Sequence, residues 1–104
     1  MKKTEARWNG TVIAASDHCI AVDGNAYFPR QDLVSECFKP SAHTSVCSWK
    51  GDCSYFDVVV AGKTNANAGW VYNDPKPAAA AIKGFVAFWK GVEISGSEHA
   101  KPMV

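Results

Sequence analysis

The sequence predicts a mainly β chain, built as bent antiparallel sheets or a partial barrel with one or two short helices. Three observations point there. β-Branched and aromatic residues gather in short runs, turn residues recur about every ten positions, and Asp23-Gly24-Asn25 carries hairpin chemistry. At 104 residues the chain has the size of one domain, and scaling laws have about two thirds of its surface buried on folding. A core without disulfides is therefore expected.

The elements follow in order. Thr11 to Ala15 and Cys19 to Val22 read as strands around the turn-like Ser16-Asp17-His18. Asp23-Gly24-Asn25 then turns the chain into Ala26-Tyr27-Phe28, because these residues tolerate the positive φ of two-residue turns. Pro29 to Val34 suits one helical turn, and Lys39-Pro40-Ser41 is expected to break what precedes it. Ser45 to Trp49 and Ser54 to Val60 read as a strand pair joined through Lys50-Gly51-Asp52. Ala61-Gly62-Lys63-Thr64 is the next turn, leading to the strand at Gly69 to Tyr72. Asn73 to Pro77 reads as a loop, Ala78 to Lys83 as one or two helical turns, and Phe85 to Trp89 as a strand. Residues 1–95 are expected to form the domain and 96–104 a flexible tail.

Composition narrows the function classes. Hydrophobic residues make up 47% and charged residues 20% of the chain, the balance of an ordinary globular protein. A net charge of +1 is too weak a field to recruit a nucleic-acid backbone. The basic start, Lys2-Lys3, runs into Trp8-Asn9-Gly10 and not into an apolar stretch, so export is not expected. No run approaches the length of a membrane helix. A cytoplasmic protein, away from membranes, with Cys19, Cys37, Cys47 and Cys53 as free thiols, is the expectation. Zinc sites need paired Cys-x-x-Cys knuckles, which the cysteine spacings lack, so no metal or other cofactor is expected.

Two groups of residues carry the chemistry. Cys47 and Lys50 are close in sequence, and a lysine beside a thiol favours the thiolate, so these two are the candidate catalytic pair. Thr44 and Tyr55 could add hydrogen bonds, and His43 or His18 a base. The alternative is a buried core cysteine with Lys50 reaching out of its turn to solvent. The second group is aromatic: Trp70, Tyr72, Tyr27, Trp49 and Tyr55 combine flat surface with a polar handle, as small-molecule pockets do beside a cation such as Lys50 or Arg30. Phe56, Phe85 and Phe88 are assigned to the core, while Trp70 and Tyr72 suit core or pocket equally.

Four spaced segments carry a family resemblance. They are Tyr27-Phe28-Pro29-Arg30-x-Asp32, Ser41-x-x-Thr44-x-x-Cys47-x-x-Lys50-Gly51-x-x-x-Tyr55, Ala68-Gly69-Trp70-Val71-Tyr72-x-x-Pro75 and Ile82-Lys83-Gly84-Phe85-Val86-Ala87-Phe88. In this order, from about Trp8 to Val92, they resemble the family catalogued as domain of unknown function 427, also filed under a nucleotidyltransferase-like label. The resemblance implies a tent-like fold of bent antiparallel sheets. This chain has Ser48 where the family usually has proline, and Cys53 where it usually has a small residue. Nucleotidyl transfer normally needs paired carboxylates around metal ions. The nearest pair, Asp52 and Asp57, would face opposite sides of a strand at that odd spacing.

The expectation is a cleft lined by Thr44, Cys47, Lys50, Tyr55, Trp70 and Tyr72, with Lys50 and Arg30 supplying positive charge to a small polar or anionic ligand. Lys50 is expected at the mouth of a turn, exposed, with Gly51 allowing the backbone to turn. The same residues allow a small enzyme, transferase-like as the family label suggests, using Cys47 and Lys50. A protein-interaction module using a sheet edge is the third reading, and the chain could act as a monomer or homodimer.

Overall fold

The computed structural model describes residues 3–103, and it is mainly β. Ten strands form three sheets: β1 (Thr4–Trp8), β2 (Thr11–Ser16), β3 (Ile20–Val22), β4 (Asn25–Tyr27), β5 (Phe38–Cys47), β6 (Gly51–Val60), β7 (Lys63–Val71), β8 (Val86–Phe88), β9 (Glu93–Ser95) and β10 (Lys101–Pro102). Their orders are β2-β1-β9, β10-β3-β4 and β5-β6-β7-β8, and none closes into a barrel. The helical content is short 3-10 turns, among them Arg30–Asp32 and Pro77–Ile82 where helical turns are expected.

Local chemistry explains the hairpins. Asp23-Gly24 and Ala61-Gly62 both hold positive φ at two successive residues, the geometry that matches the twist of flanking strands. Asn9-Gly10 does the same between β1 and β2, a strand pair whose first member the charged opening residues conceal. Within β1 only Thr4 and Ala6 are buried, small residues on alternate positions, so the period of two carries little hydrophobic signal.

One expectation is corrected. Lys39-Pro40-Ser41 does not break the chain: β5 runs through it. A register shift between Pro40 and Thr44 absorbs the irregularity, and β5 is the edge of its sheet, where a missing N–H is tolerated. Beyond Gly96, β10 lies parallel beside β3, with the Lys101 amide donating to the Cys19 carbonyl at 2.9 Å and the Met103 amide to the Ala21 carbonyl at 3.1 Å.

The four-stranded sheet separates two apolar cores. Phe56, Val58, Val71, Val86 and Phe88 pack one face against Ile13, Ala14 and Phe28. On the other side, Cys53, Tyr72 and Ala87 meet Tyr27, Val22, Ala79 and Ile82. Paired backbone bonds between Phe28 and Val86, at 2.7 and 2.9 Å, hold the small β3–β4 sheet to β8. This attachment brings Asp23 and Tyr27 to the second face.

Candidate functional site

A cleft of about 170 Å³ opens on that second face, lined by Lys50, Cys53, Tyr55, Trp70, Tyr72 and Trp89. The register explains the grouping. Tyr55 on β6 lies opposite Trp70 on β7, which in turn lies opposite Ala87 on β8. Residues directly opposite share a face and so do alternate residues along a strand, so Cys53, Tyr55, Trp70, Tyr72, Ala87 and Trp89 all look the same way.

The rings brace one another. Trp70 meets Trp89 edge-on at 6.0 Å and Tyr27 at 6.1 Å, while Tyr55 lies 6.5 Å from Trp89. Their polar atoms are engaged by the protein: the Trp70 indole donates to the Tyr27 hydroxyl at 3.1 Å, the Trp89 indole to the Asn67 carbonyl at 2.6 Å, and Tyr55 shares a 2.9 Å bond with Ser45. Rings fixed in this way lose little freedom when something lies against them.

Lys50 is not an exposed turn lysine. It is 7% exposed, and its Nζ lies 3.0 Å from Asp23 Oδ2, 5.1 Å from the Trp49 ring and 5.7 Å from the Tyr72 ring. Burial works against its charge, but the hydrogen bond to Asp23 and the neighbouring Tyr27 outweigh that and raise its pKa. Gly51 follows at φ +111°, where an L side chain is strained. The Lys76 amide donates to the Lys50 carbonyl at 2.8 Å and the Lys76 ammonium to the Ser48 carbonyl at 2.7 Å, so the loop after β7 clamps the hairpin.

Cys47 sits at the rim of the cleft, half-buried, opposite Gly51. Burial raises its pKa, yet the backbone amides of Lys50 and Trp49, the Lys50 charge and the Tyr72 hydroxyl together bring it below the ordinary thiol value. Cys53 is buried, and burial raises its pKa despite hydrogen bonds from Ser45, Tyr55 and Tyr72. Burial also raises Tyr72, which stays a hydroxyl donor.

Of the seven expected ligand-binding residues, Lys50, Tyr55, Trp70 and Tyr72 converge, and Cys47 adjoins them. Thr44 does not. It lies opposite Ser54 while Ser45 lies opposite Cys53, so Ser45 presents its hydroxyl to the cleft face and Thr44 is exposed on the other. Arg30 also lies elsewhere: its guanidinium stacks over Phe56, the residue after Tyr55 and therefore on the opposite face. His43 packs tilted against Tyr55 at 4.6 Å, and the four residue steps from it to Cys47 span roughly 13 Å of extended strand. His18 is exposed beside Asp17 at 3.1 Å.

Trp89, Ser45 and Asp23 are the cleft residues that sequence reasoning missed. Trp89 was legible in principle, since Phe88 is core and its neighbour must face the other way. Asp23 reads only as a turn residue until β3–β4 is placed against the sheet. Asp52 is exposed, and Asp57 accepts from the Asn67 amide at 2.9 Å across the β6–β7 irregularity. Among the described residues no three His, Cys, Asp or Glu side chains gather as metal ligands, and no helix is long and apolar enough to cross a membrane.

The chain belongs to the family described as domain of unknown function (DUF427), which matches residues 1–98. No curated protein matches it.

Proposed function

We propose that the cleft binds a small polar or anionic molecule, flat enough to lie against Tyr55, Trp70, Tyr72 and Trp89 and held by Lys50. The observation that carries this reading is one cleft lined by four aromatic rings, three of them braced against other rings, together with the buried ammonium of Lys50. The ammonium has three donors, and with Asp23 and the Tyr27 hydroxyl as neighbouring acceptors one donor is left for a ligand. A cavity of about 150 Å³ holds benzene, so the space here suits a single ring or a molecule of that size.

A thermal-shift screen of single-ring carboxylates, phosphates and their neutral analogues tests it. A ligand bound to the native state raises the melting temperature by mass action. An anion that stabilises the wild type is expected to stabilise Lys50→Met much less, while the neutral analogue affects both alike. Equal responses to the anion would remove Lys50 from the site.

A second reading has one observation in its favour. The amides of Trp49 and Lys50 and the Tyr72 hydroxyl surround Cys47 and favour its thiolate, the arrangement of an activated nucleophile. Under that reading the Cys47 thiolate takes a group from the molecule held in the cleft, the new bond to sulfur forming as the bond to the leaving group breaks and the leaving group departs with the electron pair. Cys47→Ser would then abolish turnover and leave binding intact.

A further inference from the structure

Behind the cleft, on the opposite face of β6, lies a larger groove of about 260 Å³ lined by Arg30, Leu33, Ser35, Phe38, Pro40 and Phe56. We propose that this groove is a second, separate ligand site, for a small monocarboxylate with a flat apolar body.

The argument begins with the cation. The Arg30 guanidinium lies 4.8 Å from the centre of the Phe56 ring, and among the described residues no carboxylate is in ion-pair range of it. Of the carboxylates nearby in the chain, Asp32 accepts from the Ser16 hydroxyl at 2.6 Å and Asp57 from the Asn67 amide, while Glu36, beside Ser35, is exposed to solvent and does not line the groove. The guanidinium sits over the Phe56 ring, and none of its N–H donors is hydrogen-bonded to a side chain or backbone carbonyl among the described residues, so a paired edge is available to the two oxygens of a carboxylate.

The remaining surface decides the rest of the ligand. Phe56 and Phe38 meet edge-on at 6.2 Å, and Leu33 and Pro40 complete an apolar lining in which Ser35 is the one other polar side chain. One cation suits a monoanion, and a polyphosphate would leave most of its charge unmatched. The volume exceeds the roughly 150 Å³ that accommodates benzene, which leaves room for a ring and a short arm ending in the carboxylate.

The test is a titration with 3-phenylpropanoate, followed by backbone amide chemical shifts, with the neutral 3-phenylpropanamide in parallel. Saturable shifts are expected at Ser35, Phe38 and Phe56, with Trp70 and Trp89 unmoved. The carboxamide should bind roughly tenfold or more weakly, the usual consequence of losing hydrogen bonds to a charged partner. Arg30→Met should reduce carboxylate affinity by a similar factor without changing the response to the carboxamide. Arg30→Lys should fall between, because it keeps the charge and loses the fork. Arg30 is exposed, so both variants keep the fold. The proposal is overturned by absence of saturable shifts in the groove at low-millimolar probe, by equal binding of carboxylate and carboxamide, or by shifts confined to the Trp70 face.

Discussion

Tyr55 and Phe56 are neighbours in sequence, yet they look out on opposite faces of β6 and serve different surroundings. On the Tyr55 side the cation is Lys50, buried and paired with Asp23; on the Phe56 side it is Arg30, exposed and stacked on a ring without a counter-ion. The difference follows from the cost of taking charge out of water. An ammonium at 7% exposure needs a carboxylate beside it, whereas a guanidinium in contact with solvent does not. The thiols divide by burial and not by face, since Cys53 on the cleft side is raised as Cys19 is. Cys19, in the core on the Phe56 side, is pushed by burial from the ordinary 9.0 to about 11, partly offset by hydrogen bonds from Thr4 and Ser16, while Cys47 at the cleft rim is lowered.

The thiols give the largest expected effect. Cys47 should alkylate with iodoacetamide many-fold faster than Cys19, Cys37 or Cys53 near neutral pH, because it combines exposure with thiolate character. Peptide mass spectrometry over a time course reads this, and equal rates would break the contrast between the rim thiol and the buried ones. Cys19 gives the thermodynamic half. Its folded-state pKa lies above the unfolded value, so its contribution is intact below pH 9.0 and is lost as pH rises toward about 11. The loss is on the order of 2 kcal/mol at the top of that window. Denaturant unfolding at several pH values should show the decline, and Cys19→Ala should shrink it.

Stability should also distinguish the two cations. Asp23→Asn leaves Lys50 buried and charged without its partner, which should cost about 1–3 kcal/mol. The turn itself is spared, since asparagine tolerates the positive φ found at Asp23. Lys50→Met removes the charge and leaves Asp23 in solvent, so it should cost less than about 1 kcal/mol despite the lysine's burial. Arg30→Met should change stability by under about half a kcal/mol. Urea denaturation of the three variants gives this ranking directly, and an Asp23→Asn cost no greater than that of Lys50→Met would mean that the ion pair does not tie the β3–β4 turn to the sheet.

Much of this was legible in the sequence. The Asp23-Gly24 and Ala61-Gly62 turns, the 3-10 turn before Lys83 and the strands bearing Tyr55 and Trp70 depend on local chemistry, which a sequence displays. Register does not. Thr44 and Ser45 carry the same hydroxyl, and a one-residue shift in pairing decides which of them meets Tyr55. Nor does sequence show where a distant element docks: Arg30 could serve either cation role until the turn that carries it is laid against Phe56. Pro40 misled for a related reason, since its cost depends on whether its strand lies at an edge.

The cleft reading is tested most directly at its own walls. Trp70 and Trp89 each carry an indole N–H engaged within the protein, to Tyr27 and to Asn67, so their indole resonances should be resolved and sensitive to anything packed on the rings. Titrating the best stabilising anion from the thermal-shift screen should move both indole signals, leave that of Trp8 unchanged, and require a higher concentration in Lys50→Met. Saturable binding that leaves Trp70 and Trp89 unmoved, or that is equally tight without the lysine charge, would contradict the account.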